Sequence, residues 1–269
     1  MHLEVNGPIL TKKLNLISKM KLHNLLLILS IAILTGCGKD EPVIPQEYLD
    51  KLTTQTPGST TSPGTTTPGN TSPETTLDTY QPLTKGSFWK NVESSNFSTV
   101  DEASTITLTG KTKTINGKLY SEAVSVSDLT GERDTAYFYA ANNNYILYSY
   151  EEDLEEILQF DYLHSNAAVN ETWETPVTVS GSVVGVLGRL RGTLKEKGIK
   201  KTVKGKEYSN VIHTELVLQY NYNNAWETWA TYNFYVAKGI GIIEIDTDMD
   251  IMGLSMSYKS QLTSYSIAK

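Results

Sequence analysis

Cys37 is the only cysteine in the 269 residues, and a thiolate is the most nucleophilic side chain a protein commonly carries. One cysteine excludes an intrachain disulfide and any multi-cysteine zinc site. From Tyr80 onward His164 and His213 are the only histidines, which excludes a three-histidine metal site and a histidine-rich relay. His213 leaves a Ser/His/Asp arrangement formally open, although a lone strand histidine reads more simply as structural. No His-Glu-x-x-His, Gly-x-Ser-x-Gly or phosphate-cradling Gly-x-x-x-x-Gly-Lys occurs. Asp246, Asp248 and Asp250 have the spacing that opens a calcium loop, but Ile251 stands where that loop needs glycine and Ser257 where it needs a bidentate glutamate. They alternate with Ile243, Ile245, Met249 and Ile251, the pattern of a strand with one buried and one hydrated acidic face. The run Glu151, Glu152, Asp153, Glu155 and Glu156 offers carboxylate pairs of the kind a glycosidase uses, yet nothing selects one pair, so it reads as a solvated charge run. No cofactor is expected.

Two further groups of residues are candidates for contact rather than catalysis. Lys195, Lys197, Lys200, Lys201, Lys204 and Lys206, with Arg189 and Arg191, form a basic stretch suited to anionic headgroups or acidic glycans, or simply a solvated hairpin. Tyr220, Tyr222, Trp226 and Trp229 crowd one predicted hairpin, where aromatics stack on sugars, line an apolar cavity or serve as packing.

The elements that position these residues begin with an address. Leu25 to Leu34 is apolar except for Ser30 and follows Lys21 and His23, as in the charged and apolar regions of an export signal. Ten residues are too few to span a bilayer core, which needs about 20. The run ends in Leu34-Thr35-Gly36-Cys37, which resembles the lipobox read by lipoprotein-processing enzymes. The resemblance implies cleavage before Cys37, a diacylglyceryl group on its sulfur, and a membrane as partner. Gly38-Lys39-Asp40-Glu41 is similar to the export signal of surface lipoproteins in the Bacteroidota, with Lys39, Asp40 and Glu41 as its charged core. That implies an outer-membrane location, on the outer face. Met20-Lys21 looks like a more ordinary beginning for an export signal than Met1, which suggests a later start.

Thr53 to Thr76 holds eleven threonines, four prolines and three glycines without apolar period, so residues 37–79 read as a lipidated N-terminus and disordered stalk. As a flexible coil such a stretch reaches about 25 to 30 Å. Four lysines and one glutamate precede Cys37, so the chain from Cys37 on carries 19 basic and 29 acidic groups, net −10. That balance argues against nucleic acid as a partner.

Residues 80–269 read as a single all-β domain, a curved antiparallel sheet or half-barrel with at most one or two short helices. Turns are expected at Asn116-Gly117, within Ala141 to Asn144, and at Asn223-Asn224 between Glu215 to Tyr222 and Trp226 to Ala237. The helical candidate is Glu151 to Leu158, where Leu154, Ile157 and Leu158 share a face; a loop is the other reading. Two halves echo each other. Trp89, Asn116-Gly117-Lys118-Leu119-Tyr120-Ser121, Phe138-Tyr139-Ala140 and Ile146 are matched in order by Trp173, Lys204-Gly205-Lys206-Glu207-Tyr208-Ser209, Tyr235-Val236-Ala237 and Ile242. Either two similar meanders share one sheet, or two meanders merely share Gly-Lys turns.

Pro82-Leu83-x-x-Gly86-x-x-Trp89, Gly205-Lys206-x-Tyr208 and Tyr235-x-Ala237-Lys238-Gly239-Ile240-Gly241-Ile242-Ile243 together resemble a set of uncharacterised Bacteroidota lipoproteins. The resemblance covers nearly the whole domain and implies a strongly curved sheet, somewhat like half-barrel lipoprotein carriers of the LolA type. It brings no active site with it. The expectation is a monomeric, non-enzymatic binding or accessory module for a glycan or an apolar ligand. A carrier or sensor with an apolar cavity, and an unrecognised hydrolase, are the other readings. A cavity lined by Ile, Leu and Val, a flat aromatic strip, or a cleft converging on His213 would separate carrier, glycan binder and enzyme.

Overall fold

A computed structural model describes residues 78–96, 98–151, 156–177, 187–222, 225–251 and 254–269; the side chains at 150, 151, 156–158, 187, 222, 251 and 254 are outside that description. Cys37, Lys39, Asp40, Glu41 and the Thr53 to Thr76 stretch lie outside the described residues, as do Leu154 and Asn223-Asn224.

Every described element is a strand. In chain order they are β1 (Phe88–Ser95), β2 (Glu102–Ile115), β3 (Lys118–Ser127), β4 (Arg133–Ala141), β5 (Asn144–Glu151), β6 (Glu156–His164), β7 (Thr172–Val177), β8 (Leu187–Val203), β9 (Lys206–Tyr222), β10 (Ala225–Ala237), β11 (Gly241–Ile251) and β12 (Leu254–Ser266). They form one antiparallel sheet in the order β6-β5-β4-β3-β2-β1-β12-β11-β10-β9-β8-β7, curled into a nearly closed barrel. The all-β expectation holds.

The echo in the sequence is an echo in the fold: each half is a six-stranded meander, and β1 pairs with β12 to join them. Ile115 faces Lys118 and Val203 faces Lys206 across two-residue turns. Both central residues have positive φ in each, Asn116 (49°) and Gly117 (73°) in one, Lys204 (45°) and Gly205 (80°) in the other. That is the type I′ geometry whose twist matches the flanking strands. Seven residues before each turn glycine, Gly110 (φ 82°) and Gly198 (φ 71°) sit where the ladder shifts register, so both long strands carry an irregularity at the same place. Asn142-Asn143 makes a third tight turn, between β4 and β5.

The helix expected over Glu151 to Leu158 does not form. Glu151 ends β5 and Glu156 opens β6, with Glu151 opposite Glu156, Tyr150 opposite Ile157 and Ser149 opposite Leu158. Cross-strand pairing wins because eight residues are too few to make a helix stable by itself.

The open seam lies between β6 and β7, which do not share a ladder. Side chains bridge it. The Trp173 indole Nε1 donates to the Asp161 carbonyl at 2.8 Å, and Thr214 Oγ1 donates to the Tyr162 carbonyl at 2.6 Å. Behind those bonds Phe160 meets Tyr232 edge-on at 5.2 Å and Tyr162 stacks on Phe234 at 5.5 Å, filling the side of the barrel nearest the seam. The segment before β1 stops one end: Thr79, Gln81 and Leu83 are buried, and the Gly239 N–H donates to the Thr79 carbonyl at 2.7 Å. Among the described residues, a cleft on the inner face lies against β1–β5, β11 and β12.

Candidate functional site

β3 shows how this interior is lined. In Ala123-Val124-Ser125-Val126-Ser127 the alternation of a strand puts either the valines or their neighbours inside, and it is Ala123, Ser125 and Ser127 that are buried while the valines are half-buried. The register carries this across the sheet. Trp89 of β1 lies opposite Ile106 of β2, Ile106 opposite Ser125 of β3, and Ser125 opposite Asp134 of β4. Ser104 is buried one step along β2, and Ser260 is buried on β12, opposite Glu93 of β1.

The result is a cleft of ≈ 90 Å³ on the inner face. Its apolar surface includes Trp89, Ile106, Ala136, Phe138, Leu147 and Ile243; its polar surface includes the carboxylates of Glu93, Asp134 and Glu244, the amides of Gln81 and Asn91, and the hydroxyls of Ser104, Ser125, Ser149 and Ser260. Among the described residues lining it, none is lysine, arginine or histidine. Ser125 is 8% exposed and its Oγ makes no hydrogen bond. A buried hydroxyl without a partner costs roughly 1–3 kcal/mol, so such a group is conspicuous in a wall where Ser127 Oγ donates to Glu102 Oε1 at 2.7 Å.

The residues singled out in the sequence fall elsewhere. His213 lies on the opposite face of β9 from buried Ile212 and Thr214. Its Nδ1 is 3.1 Å from Glu196 Oε2, its Nε2 is 3.0 Å from Asn233 Oδ1, and the ring stacks on Tyr235 at 4.4 Å. His164 is held in the same style, 3.0 Å from Asp161 Oδ2 and stacked on Trp173 at 4.4 Å. Both imidazoles are wedged between an aromatic ring and a carboxylate, and the cleft includes neither.

β11 has the two faces expected of it, with Ile243, Ile245 and Met249 buried and Asp248 and Asp250 exposed. Burial raises the Asp246 pKa, against the opposing pull of Lys259 at 3.0 Å. Among the described residues no group of three or more His, Cys, Asp or Glu side chains is placed to hold a metal ion. The basic stretch is interleaved with acids: Lys195 pairs with Glu215, Lys200 with Glu207, Lys201 with Glu244 and Arg189 with Glu174, all within 3.3 Å. Burial pulls the Lys201 pKa down, but the hydrogen bond and charge of Glu244 outweigh it and leave it raised.

Of the four aromatics proposed for ligand contact, Tyr220 and Trp229 meet edge to face at 5.3 Å, with Trp229 buried and Tyr220 half-buried against the core. Trp226 is exposed, and the Arg189 guanidinium lies 4.0 Å from its ring centre. The Tyr222 side chain is outside the described residues. The structure therefore pairs two of the four and sets Trp226 over an arginine.

Sequence reasoning missed Glu93, Ser104, Ser125, Asp134 and Ser149. The signal available was weak: serines alternating with valines on β3, which residue type alone would place on the hydrated face.

No family model matches this chain, and no curated protein does. Two solved structures are similar to it. One is a candidate lipoprotein from Parabacteroides distasonis, 13% identical, with a TM-score of 0.40 over 70% of this chain and 99% of that one. The other is a candidate exported protein with a YmcC-like fold from Bacteroides fragilis, 7% identical, with the same TM-score and coverage. Likeness at this level bears on neither ligand nor activity.

Proposed function

We propose that this chain is a bacterial lipoprotein, cut before Cys37 and anchored by lipid on that cysteine to the outer membrane at the cell surface, and that its β domain is a non-enzymatic binding module. The address rests on the apolar run ending in Leu34-Thr35-Gly36-Cys37 and on Lys39-Asp40-Glu41 after it. The binding role rests on one observation: a mainly apolar cleft on the inner face with carboxylates and hydroxyls in its lining, and the unpartnered Ser125 Oγ in its wall.

Size favours a ligand-binding module over a carrier of whole lipids. A dry cavity of about 150 Å³ takes a benzene ring, so ≈ 90 Å³ suits a smaller group better than a whole acyl chain.

The address is tested by Cys37→Ser, which should leave an unlipidated precursor that no longer fractionates with membranes. Recovery of that variant in membranes at the lipidated mass would refute it. Replacing Lys39, Asp40 and Glu41 with alanine should keep the protein membrane-bound but shield it from protease added to intact cells. The binding role is tested by a thermal-shift screen of small polar metabolites against the full-length protein and against Ala136→Phe, which fills the cleft. Ligands that stabilise the first and not the second are expected; a screen in which no compound separates the two would remove the role.

A further inference from the structure

The strands place unlike charges at the two ends of the barrel. All ladders are antiparallel, so the turns after β2, β4, β8 and β10 lie at one end with the start of β1, and the connections after β1, β3, β9 and β11 lie at the other. Asp78, where the described chain begins, is at the first end: Lys238 in the β10–β11 turn binds it at 2.8 Å, and the Gly239 N–H donates to the Thr79 carbonyl. Lys85, Lys118, Lys197, Lys204 and Lys206 are exposed at that same end, and among the described residues none of them forms an ion pair. Acids at this end are already engaged: Glu207 with Lys200 at 2.8 Å, Asp78 with Lys238, and Glu171 with the Ala168 N–H at 2.8 Å. The basic zone runs across the end. Lys206 Nζ lies 4.5 Å from the Tyr265 ring centre near the end of β12, and just beyond β12 the Ala268 N–H donates to Ser87 Oγ at 3.0 Å, beside the loop that carries Lys85. The opposite end is acidic, with Asp101, Asp128, Glu132, Asp248 and Asp250 in or beside its connections. Val100 and Leu129 are exposed there, but each is flanked by an aspartate, Asp101 or Asp128.

We infer that the lysine-bearing end docks on the anionic headgroups of the leaflet that holds the lipid on Cys37, with the acidic end turned away from the membrane; this rests on the reading of Cys37 as the anchor. Residues 38 to 77, forty in number, join Cys37 to this end of the barrel. Fully extended, forty residues span up to about 140 Å, so the connection permits docking without imposing it, and charge decides. A chain that carries net −10 from Cys37 on is repelled by an anionic surface unless it presents its basic end. Each lysine close to such a surface strengthens the attraction about fivefold, and the effect fades over a screening length of about 8–10 Å. Glu93, Ser104 and Asp134 of the cleft lie toward the acidic end, so docking turns that part of the cleft outward.

The lipidated protein, reconstituted into vesicles, tests this. With Cys37 blocked by lipid, a cysteine introduced by Thr202→Cys at the basic end or Val100→Cys at the acidic end takes a fluorescent label, and a quencher on the lipid headgroups reports contact. In phosphatidylcholine vesicles with about one-third phosphatidylglycerol, the label at 202 should be quenched several-fold more than the label at 100. That difference should vanish in pure phosphatidylcholine and at about 0.5 M salt. Replacing Lys118, Lys204 and Lys206 together with glutamine should lower the ratio of docked to free protein about a hundredfold, whereas three arginines should keep it, which separates charge from damage to the fold. Equal quenching of the two labels, or quenching indifferent to phosphatidylglycerol and salt, would overturn the docking. The intact mass tests the anchor separately. If it shows no lipid, the anchor reading falls, and the docking then stands or falls on whether the same protein sediments with anionic vesicles in excess of neutral ones.

Discussion

At Tyr120, Tyr148 and Tyr162 burial raises the phenol pKa well above its ordinary 10.0, reinforced at Tyr120 by the neighbouring Tyr148 and at Tyr162 by Tyr145. All three are at most 2% exposed. Above pH 10 the unfolded chain releases these protons while the folded chain keeps them, so folding binds protons there. Their contribution is fully present below about pH 10 and is lost as pH rises through the folded values. Alkaline unfolding should therefore begin just above pH 10, and a late, cooperative fraction of tyrosinate absorbance should appear together with loss of the β-sheet circular dichroism. Ionisation of every tyrosine while the sheet signal persists would contradict this placement. Single residues also show where reading by residue type fails. Val124 and Val126 have the alternation of a strand, but they lie on its less buried face, because the buried face there is Ala123, Ser125 and Ser127.

At the scale of elements, the matched irregularities in β2 and β8 are the strongest sign that the halves share one design. Gly110 and Gly198 hold left-handed φ of 82° and 71°, which costs a residue with a side chain roughly 1–2 kcal/mol. Gly198→Ala should lower stability by about that amount. Gly110→Ala should cost more, because a Cβ there would overlap the aliphatic stem of Lys85, whereas open space surrounds Gly198. The two strands lie in different halves, so the double variant should show nearly additive losses in chemical denaturation. A neutral Gly110→Ala would mean that β2 is regular there. Two hairpins were legible because their turns are chemical: Asn116-Gly117 and Asn142-Asn143 announce positive φ in their composition. The helix over Glu151 to Leu158 was misread because an apolar spacing of three and four residues in so short a run also fits a strand end.

For the whole molecule, the folded unit begins slightly earlier than Tyr80, the boundary that composition suggests. Thr79 is fully buried, the Tyr80 N–H donates to the Tyr145 hydroxyl at 3.2 Å, and the Tyr162 hydroxyl donates to Gln81 Oε1 at 3.3 Å. A chain beginning at Asp78 should melt within a few degrees of the mature protein. One beginning at Pro82 strips Gly239 of the Thr79 carbonyl and Tyr162 of Gln81, at about 1–3 kcal/mol for each of these two groups. At 2–4 °C per kcal/mol that is a fall of about ten degrees. Differential scanning calorimetry of the two truncations decides it, and equal melting temperatures would mean that residues 78–81 are not part of the barrel's end.

The sequence by itself determined the class of fold, the tight turns and the division into two meanders, because these depend on local chemistry: alternation, turn residues and composition. The expectations of export and lipidation at Cys37 come from the same local level, a short motif after an apolar run. Tertiary structure decided which face of each strand points inward, how the seam between β6 and β7 is bridged, and which residues meet. Trp89, Ser125 and Asp134 stand 36 and 9 residues apart in sequence and become members of one cross-strand row only through the register of four strands. A strand's alternation is symmetric between its two faces, so nothing local says which is inside. That choice is made by curvature and by closure against the other half of the chain, and with it the candidate site.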